Sequence, residues 1–212
     1  MADAMVNLAS VAFAETFAVE DEVIESARAR ARELGCVPIG PAGGTTLRLL
    51  AVLTNAKAVV EIGTGAGVSG LRLLEGMAED GVLTTIDVEG ENQRAAREAF
   101  TEAGIAPTRY RMINGAAAEL LPRLRDDAYD VVFIDAEKTE YALYVEQAVR
   151  LLRSGGVMAI DNALWHDRVA DPAVDDLETT TLREVVHNVG ADERLVPVLI
   201  PVGDGLLVAA KK

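Results

Sequence analysis

Val131-Val132-Phe133-Ile134-Asp135-Ala136-Glu137-Lys138 joins an apolar run to a carboxylate and, three residues later, to an ammonium group. Three of the first four residues are β-branched, which is typical of a strand buried on both faces of a parallel sheet. In open α/β sheets, ligands bind at the carboxyl ends of the strands. We therefore expect Asp135 and Lys138 to face a crevice instead of the core.

A second stretch repeats this pattern: Val157-Met158-Ala159-Ile160-Asp161-Asn162. It is again an apolar strand that ends in oxygen-bearing side chains. If the two strands are neighbours, Asp135, Asp161 and Asn162 lie around one point. Three oxygen donors suit a hard divalent cation that keeps open coordination positions. The two strand ends together therefore predict a cation site.

Apolar runs alternate with helical patterns along the rest of the chain and predict five β-α units. Two further strands follow, separated by the short turn Val202-Gly203-Asp204-Gly205, which favours an antiparallel hairpin. This order gives an α/β fold with a doubly wound, mostly parallel, seven-stranded sheet of Rossmann-like type. The predicted strands are residues 58–62, 82–86, 110–113, 131–134, 157–160, 195–201 and 206–210.

We expect a single domain over residues 1–212, because no stretch has the composition of a linker. Extra N-terminal helices and a loop are predicted over residues 1–44, and the core over 45–212. Prolines and glycines predict that residues 37–44 form the loop and that a helix covers 45–53. Thr139 is predicted to N-cap the helix that ends near Leu152, and Gly155-Gly156 to stop it.

The composition excludes several classes of function. The 212 residues carry a formal net charge of -14, so we expect no nucleic-acid partner and no binding to an anionic membrane. No apolar run approaches the roughly 20 residues that span a bilayer, and residues 1–17 lack a secretory signal pattern. The single cysteine, Cys36, fits a reducing compartment. We therefore expect a cytoplasmic protein.

The turn after the first strand, Gly65-Ala66-Gly67-Val68-Ser69-Gly70, matches the G-x-G-x-x-G pattern of dinucleotide-binding sites. Asp87 lies 22 residues after Gly65, near the spacing of an acid that binds ribose hydroxyls. The glycines let the backbone approach a ligand, and the next helix offers free N–H groups to an anion. That anion is either the pyrophosphate of NAD or an amino-acid carboxylate, and the motif alone leaves both open.

Two features favour a cofactor that carries an amino acid. Glu61, just before the glycines, would repel a pyrophosphate but attract the ammonium group of a bound amino acid. The set of Asp135, Lys138, Asp161 and Asn162 is not required for hydride transfer. An NAD-linked oxidoreductase therefore stands as the alternative, and a non-catalytic cofactor-binding module as a third hypothesis.

Four segments together resemble one known family. They are Val59-Val60-Glu61-Ile62-Gly63-Thr64-Gly65-Ala66-Gly67, Thr85-Ile86-Asp87, Phe133-Ile134-Asp135-Ala136-Glu137-Lys138 and Ile160-Asp161-Asn162-Ala163-Leu164-Trp165. The combination is similar to the class I S-adenosylmethionine-dependent O-methyltransferases. More narrowly, it resembles the cation-dependent group of catechol O-methyltransferase, caffeoyl-CoA O-methyltransferase and their small bacterial relatives. The resemblance covers about residues 35–210 and implies the methyltransferase form of the Rossmann-like fold.

The resemblance also implies roles for single residues. Asp135, Asp161 and Asn162 match metal ligands, usually of Mg²⁺, with Mn²⁺ or Ca²⁺ as alternatives. Lys138 matches the lysine that acts as general base, and Asp135 is the second catalytic residue beside it. The positions that match the S-adenosylmethionine site are Ile39, Glu61, Gly63, Thr64, Ser69, Asp87, Gly115, Ala116 and Asp135.

The reaction that the resemblance implies is metal-dependent methyl transfer to a hydroxyl of a small aromatic vicinal diol, of catechol or caffeoyl type. Position 137 departs from the family pattern, because Glu137 stands where catechol O-methyltransferase has an aromatic residue beside the substrate. This departure leaves the acceptor open. The bacterial relatives imply a homodimer, with the helices before Ile39 as its interface or, alternatively, as a lid.

Overall fold

The computed structural model of the protein describes residues 7–212, so the first six residues of the predicted N-terminal helices lie outside the described part. The helices are α1 (Leu8–Thr16), α2 (Glu22–Glu33), α3 (Pro41–Leu53), α4 (Val68–Gly76), α5 (Gly90–Glu102), α6 (Ala117–Leu120), α7 (Tyr141–Leu151) and α8 (Leu177–Ala191). The strands are β1 (Ala58–Ile62), β2 (Val82–Asp87), β3 (Tyr110–Asn114), β4 (Tyr129–Ile134), β5 (Leu152–Ile160), β6 (Leu195–Ile200) and β7 (Leu206–Lys211). Among these helices, none has both the length and the apolarity needed to cross a membrane.

The seven strands form one sheet in the order β3-β2-β1-β4-β5-β7-β6. Strands β1 to β5 are parallel, whereas β7 runs antiparallel to both β5 and β6. The chain winds outward from β1 to β3 and then returns to β4 on the other side of β1. This reversal opens a crevice at the carboxyl ends of β1 and β4. The predicted doubly wound sheet with a C-terminal hairpin is confirmed.

Both faces of the central strands are buried, as the β-branched run predicted. Val132 and Ile134 pack into one apolar layer with α7 and α8, and Val131 and Phe133 pack into the opposite layer with α3 and α4. All four side chains are fully buried. Because both faces are covered, β4 is held rigidly between two layers, and the residues that follow Ile134 have a fixed starting point.

The predicted start of the third helix is wrong. α3 begins at Pro41, inside the stretch predicted as a loop, because proline is well suited to the first helical turn. Gly43 and Gly44 therefore lie within the helix. A Cβ atom on Gly43 would stand 2.7 Å from Ile39 Cγ1, and one on Gly44 would stand 3.1 Å from Arg72 Cγ. Close tertiary packing, which the local pattern does not report, explains these two glycines.

Two predicted boundaries of α7 are also wrong. Lys138–Glu140 form a 3₁₀ turn in which the Glu137 side chain accepts hydrogen bonds from the Thr139 backbone N–H and hydroxyl group, so Thr139 caps nothing. Gly155 and Gly156 lie inside β5 and not at the end of the helix. A Cβ atom on Gly156 would stand 2.9 Å from the Tyr129 carbonyl oxygen. Glycine is needed there because β4 passes so closely.

Candidate active site

A cavity of about 690 Å³ lies at the carboxyl ends of the parallel strands. Ten of the twelve residues predicted to bind or react line it: Ile39, Gly63, Thr64, Ser69, Asp87, Gly115, Ala116, Asp135, Lys138 and Asn162. The other two, Glu61 and Asp161, are buried directly beside residues that do. The sheet thus gathers into one place residues that are spread over more than 120 positions of the chain.

Asp87 fixes the glycine-rich turn between β1 and α4. One of its carboxylate oxygens accepts hydrogen bonds from the backbone N–H groups of Thr64 and Gly65, each at 3.0 Å. The other oxygen accepts from the Glu89 N–H at 2.8 Å, and the Asn92 side-chain amide donates to both oxygens. Hydrogen bonds from the protein itself therefore hold the predicted ribose-binding acid in one orientation at the end of β2.

Gly63 shows why the turn must begin with glycine. Its φ is +98°, in the left-handed region, and a Cβ atom there would stand 1.8 Å from the Asp135 carbonyl oxygen. The backbone after β1 thus lies against the backbone after β4. Gly65 also has a positive φ, +48°, but a Cβ atom would meet nothing within 4 Å. Gly63 is required for packing within the protein, whereas Gly65 leaves its open side to the cavity.

Glu61 is a fully buried carboxylate at the end of β1. Its Oε2 accepts a hydrogen bond of 2.6 Å from the Thr85 hydroxyl group, while its Oε1 has no partner. Burial raises the pKa of Glu61 to about 7, although the hydroxyl groups of Ser69 and Thr85 oppose this rise. An unpaired buried oxygen is costly. It fits a ligand that brings an N–H donor, such as an amino-acid ammonium group.

Register brings the two predicted metal-binding strand ends together. β4 and β5 are parallel, with Ile134 opposite Ile160, so Asp135 and Asp161 are the next residues of adjacent strands. The Asp161 N–H donates to the Ile134 carbonyl oxygen at 3.0 Å, which continues the ladder past the last paired residues. Asn162 follows with a left-handed φ of +60° and lines the cavity.

The charges of this corner fit a cation. Asp161 is only 6% exposed; burial raises the pKa of its carboxyl group, and the charge of Asp135 raises that pKa further. Among residues 7–212, no three His, Cys, Asp or Glu side chains converge as a metal cluster. The donor set here is instead two carboxylates and the Asn162 amide. That set suits a hard cation with open positions, which would also relieve the repulsion between the carboxylates.

Lys138 lies beside this corner, with little exposure to solvent. Its Nζ donates to Asp135 Oδ1 at 3.0 Å and to the Tyr141 hydroxyl group at 2.7 Å, and it lies 5.7 Å from the centre of the Trp165 ring. Tyr141 is fully buried in the core, where burial holds the pKa of its hydroxyl group well above the ordinary value. A protonated tyrosine therefore anchors the lysine on one side and a carboxylate on the other.

The far wall of the cavity is a strained loop after β5. Asn162, Trp165, His166 and Asp167 all have a left-handed backbone, which is uncommon for residues other than glycine. Trp165 lines the cavity and also packs against the main apolar layer. Asp204, in the turn between β6 and β7, accepts hydrogen bonds from this loop. Asp204 was not predicted as a site residue, and its place between two glycines is the only local signal that could have marked it.

Acidic groups dominate the charged lining of the cavity. The carboxylates are Asp87, Glu89, Asp135, Glu137 and Glu140. Within the described residues, Lys138 is the one lysine or arginine in that lining. The Tyr144 hydroxyl group is hydrogen-bonded to the Glu140 carboxylate at this edge. The cavity can thus hold a cationic or neutral ligand beside an aromatic wall, and it disfavours a strongly anionic one.

Comparisons with known proteins agree with this geometry. The family model described as O-methyltransferase matches residues 13–212. A protein of Mycobacterium ulcerans, provisionally named an O-methyltransferase, is 53% identical over 200 residues, which cover 94% of this chain and 89% of that protein.

Solved structures show the same fold. A Corynebacterium glutamicum protein is 31% identical with a TM-score of 0.88, covering 94% of each chain. The O-methyltransferase TomG from Streptomyces achromogenes, involved in tomaymycin synthesis, is 29% identical with a TM-score of 0.86. The match covers 97% of this chain and 96% of TomG, whose crystal structure contains S-adenosylmethionine.

Proposed function

Because the chain belongs to the O-methyltransferase family and is an S-adenosylmethionine-dependent O-methyltransferase, we propose that its acceptor is a small aromatic vicinal diol of catechol or caffeoyl type. We further propose that transfer to one of the two hydroxyl groups requires a divalent cation. The observation that carries this proposal is the placement of Asp135, Asp161 and Asn162 on adjacent strand ends, with Lys138 at hydrogen-bond distance from Asp135.

The residues around the glycine turn would hold S-adenosylmethionine, which supplies a methyl group activated by its sulfonium. Asp87 would bind the ribose hydroxyls, and the unpaired Oε1 of Glu61 would accept a hydrogen bond from the ammonium group. Ser69 lies in the first turn of α4, where free N–H groups favour a carboxylate. Gly115 and Ala116 line the other end of the cavity beyond β3, and Ile39 closes it from the loop before α3.

Asp135, Asp161 and Asn162 would hold the cation, and we propose Mg²⁺, with Mn²⁺ or Ca²⁺ as substitutes. When bound, the cation would lower the pKa of a coordinated hydroxyl group. The two carboxylates lie on strand ends that are fixed by the sheet, so their spacing is set before binding. Asp135 also lies between the glycine turn and Lys138, so it would be the residue shared by cofactor, cation and base.

Lys138 would act as the general base. In its neutral form, its amine would accept the proton that the acceptor hydroxyl group loses, because a phenolate is a far better nucleophile than a phenol. The Tyr141 hydroxyl group and the Asp135 carboxylate fix the position of Nζ at the cavity wall. The Trp165 ring, 5.7 Å away, would give the aromatic acceptor a flat surface.

The acidic lining of the cavity favours uncharged acceptors over anionic ones. Five carboxylates face the cavity against one lysine in the described part of the chain. The phosphates of a coenzyme A ester would meet repulsion there, whereas a free catechol would not. We therefore expect free catechols and uncharged caffeoyl esters to be better acceptors than caffeoyl-CoA.

The test is methyl transfer from labelled S-adenosylmethionine to catechol, a caffeoyl ester and caffeoyl-CoA, each with Mg²⁺ and with EDTA. We expect turnover of the diols with Mg²⁺ and loss of turnover with EDTA. Guaiacol, which has only one free hydroxyl group, is the matched control and should not be methylated. Turnover that survives EDTA would overturn the cation requirement, and transfer to guaiacol at an equal rate would overturn the vicinal-diol requirement.

The comparisons give no support to the NAD-linked oxidoreductase or to a non-catalytic binding module. A direct check is the thermal shift given by S-adenosylhomocysteine and by NADH, since a ligand that binds only the native state raises its melting temperature. S-adenosylhomocysteine should stabilise the protein and NADH should not.

A homodimer in the cytoplasm is also part of the proposal. Phe13 in α1 and Phe17 just after it are 70% and 77% exposed, and Leu53 of α3 is 71% exposed. Contiguous exposed apolar patches are a feature of protein–protein interfaces. Sedimentation velocity should give a dimer for the wild type and a monomer for Phe13→Ser/Phe17→Ser. A wild-type monomer at micromolar concentration would contradict this assignment.

A further inference from the structure

Asp204 joins the turn between β6 and β7 to the loop that follows β5. Its Oδ2 accepts a hydrogen bond from Asn162 Nδ2 at 3.3 Å, and its Oδ1 accepts from the His166 backbone N–H at 2.5 Å. Two backbone bonds run beside these contacts, from Leu164 N–H to the Asp204 carbonyl oxygen and from Ala163 N–H to the Gly205 carbonyl oxygen. Asp204 is thus built into the loop that carries Asn162.

The chemistry of the contact fixes which way the Asn162 amide points. An ionised carboxylate can only accept hydrogen bonds, whereas a side-chain amide has an NH₂ group that donates and a carbonyl oxygen that accepts. The NH₂ group of Asn162 must therefore face Asp204. The carbonyl oxygen then points away from Asp204. That oxygen is the atom of the asparagine side chain that can coordinate a hard cation.

The backbone around Asn162 has a conformation that requires support from hydrogen bonds of this kind. Asn162, Trp165 and His166 all have a positive φ, and conformations of this kind persist only where their surroundings hold them. A Cβ atom on Gly205 would stand 2.5 Å from Leu164 Cγ, so the two loops lie in close contact. Asp204 therefore reaches Asn162 from a rigid turn 42 residues away in the chain.

We propose that Asp204 is a positioning residue for the cation site, which presents the carbonyl oxygen of Asn162 to the cation by accepting from its NH₂ group. The inference rests on the proposed cation site and deepens it. Groups that orient metal ligands through hydrogen bonds typically change metal affinity by about 10- to 100-fold when they are replaced. Asp204 itself does not line the cavity.

The test uses Mn²⁺ as probe, with free Mn²⁺ measured by electron paramagnetic resonance in the full chain without acceptor. Asp204→Asn keeps the shape of the side chain but can donate as well as accept, so it no longer dictates the orientation of Asn162. We expect its Kd for Mn²⁺ to rise about 10-fold, while the Kd for S-adenosylhomocysteine stays within twofold. Asp171→Asn is the matched control. Asp171 is an exposed loop acid whose side chain also accepts a backbone hydrogen bond, at 2.9 Å from Ala173.

A double-mutant cycle separates orientation of the amide from general support of the loop. In an Asn162→Ala background, Asp204→Asn should change the Kd for Mn²⁺ less than about twofold, because the amide it orients is gone. An equal effect in both backgrounds would overturn the proposal. So would wild-type affinity in the Asp204→Asn single variant, and that result would leave the proposed function standing.

A wild-type measurement covers the case in which Asp204→Asn does not fold. The side-chain NH₂ signal of Asn162 in ¹⁵N-asparagine-labelled protein, assigned by its loss in Asn162→Ala, should broaden at substoichiometric Mn²⁺. It should also show the slow hydrogen exchange of a bonded amide. A sharp, fast-exchanging signal would overturn the proposal. If the wild type binds no Mn²⁺ at all, the proposed cation site fails and this inference fails with it.

Discussion

The two halves of the cavity are built in opposite ways. In the cofactor half, the positive φ angles fall on Gly63, Gly65 and Gly67, and two of the N–H groups of the turn are bonded to Asp87. In the acceptor half, positive φ angles fall on Asn162, Trp165, His166 and Asp167, and two carboxylates lie on neighbouring strand ends. The first half is satisfied by its own residues, whereas the second holds strain and like charge.

This difference indicates what each half requires. Left-handed residues other than glycine cost of order 1–3 kcal/mol each, and asparagine and aspartate tolerate that region better than tryptophan does. Lys138 already pairs with Asp135, and a cation would offset the remaining repulsion between Asp135 and Asp161, so the acceptor half would gain further stability on binding. Substitutions there should change activity more than folding, whereas substitutions in the glycine turn should change folding first.

Asp161→Asn should give the largest loss of activity, together with a gain in stability. We expect methyl transfer to fall about 1,000-fold, because a catalytic cation is worth several kcal/mol. Folding should not suffer. In metal-free buffer the free energy of unfolding should rise by ~1 kcal/mol, because a buried carboxylate beside a like charge becomes neutral. Activity assays with Mg²⁺ and urea denaturation in EDTA measure the two quantities.

Asp130→Asn is the matched control, at the opposite end of the same pair of strands. The Asp130 side chain accepts from the backbone N–H groups of Lys57 and Ala58, at 2.7 and 2.9 Å, and pairs with Arg153. This variant should lose stability and keep its affinity for Mg²⁺. If Asp161→Asn unfolds as readily as Asp130→Asn, the acceptor half does not hold the repulsion described above.

Gly63→Ala tests whether substitutions in the cofactor half reduce stability. Its Cβ would stand 1.8 Å from the Asp135 carbonyl oxygen at a φ of +98°, so overpacking and backbone strain add. We expect the free energy of unfolding to fall by about 3 kcal/mol. Gly65→Ala, in the same turn with open space around it, should lose only ~1 kcal/mol. Equal losses in the two variants would show that the close approach of β1 and β4 is unimportant.

Lys138→Met separates chemistry from binding within the acceptor half. A positioned general base typically contributes at least about 100-fold, so kcat should fall by that factor. The Kd for S-adenosylhomocysteine should stay near the wild-type value. Lys57→Met is the control, because Lys57 pairs with Asp80 on the surface at the amino end of β1. A fall in kcat of less than about fivefold in Lys138→Met would remove the lysine from the reaction.

Local sequence patterns predicted the elements that lie in the sheet, because an apolar β-branched run bounded by turn residues is typical of a central strand that is buried on both faces. β1 was predicted at its observed bounds, and β2 to within one residue. The same logic placed Asp135 and Asp161 side by side, since neighbouring parallel strands end at one edge. The meeting of Asp135 and Asp161 was therefore predictable from two segments 26 residues apart.

Features that depend on distant contacts were not predictable. Gly43 and Gly44 are typical of a loop, yet they lie in α3, where Ile39 and Arg72 pack closely against them. Tyr141 is buried in the core, and its hydrogen bond with Lys138 depends on the 3₁₀ turn that brings the two side chains together. Asp204 lies 42 residues from Asn162, and its partner depends on how two loops meet.

Glu61 is the one place where the cofactor half resembles the acceptor half, since it is a buried carboxylate with an unpaired oxygen. Burial raises the pKa of Glu61 to about 7 in the folded protein, above its ordinary value of 4.5. Between these two pH values the folded state binds more protons than the unfolded state, so stability falls as pH rises. Below pH 4.5 both states are protonated and Glu61 has no such effect.

Glu61→Gln should therefore stabilise the ligand-free protein at pH 8, by up to about 3 kcal/mol, and leave it unchanged near pH 4.5. Urea denaturation of both proteins across this range isolates Glu61, because every other titrating group is common to the pair. Binding should run the other way. An ammonium group beside Glu61 favours the ionised acid, so the wild type should bind S-adenosylhomocysteine more tightly at pH 8 than at pH 5.5, and Glu61→Gln should lose that dependence. A stability difference that does not vary with pH would mean that Glu61 has the same pKa in the folded and unfolded states, and burial would then not raise it.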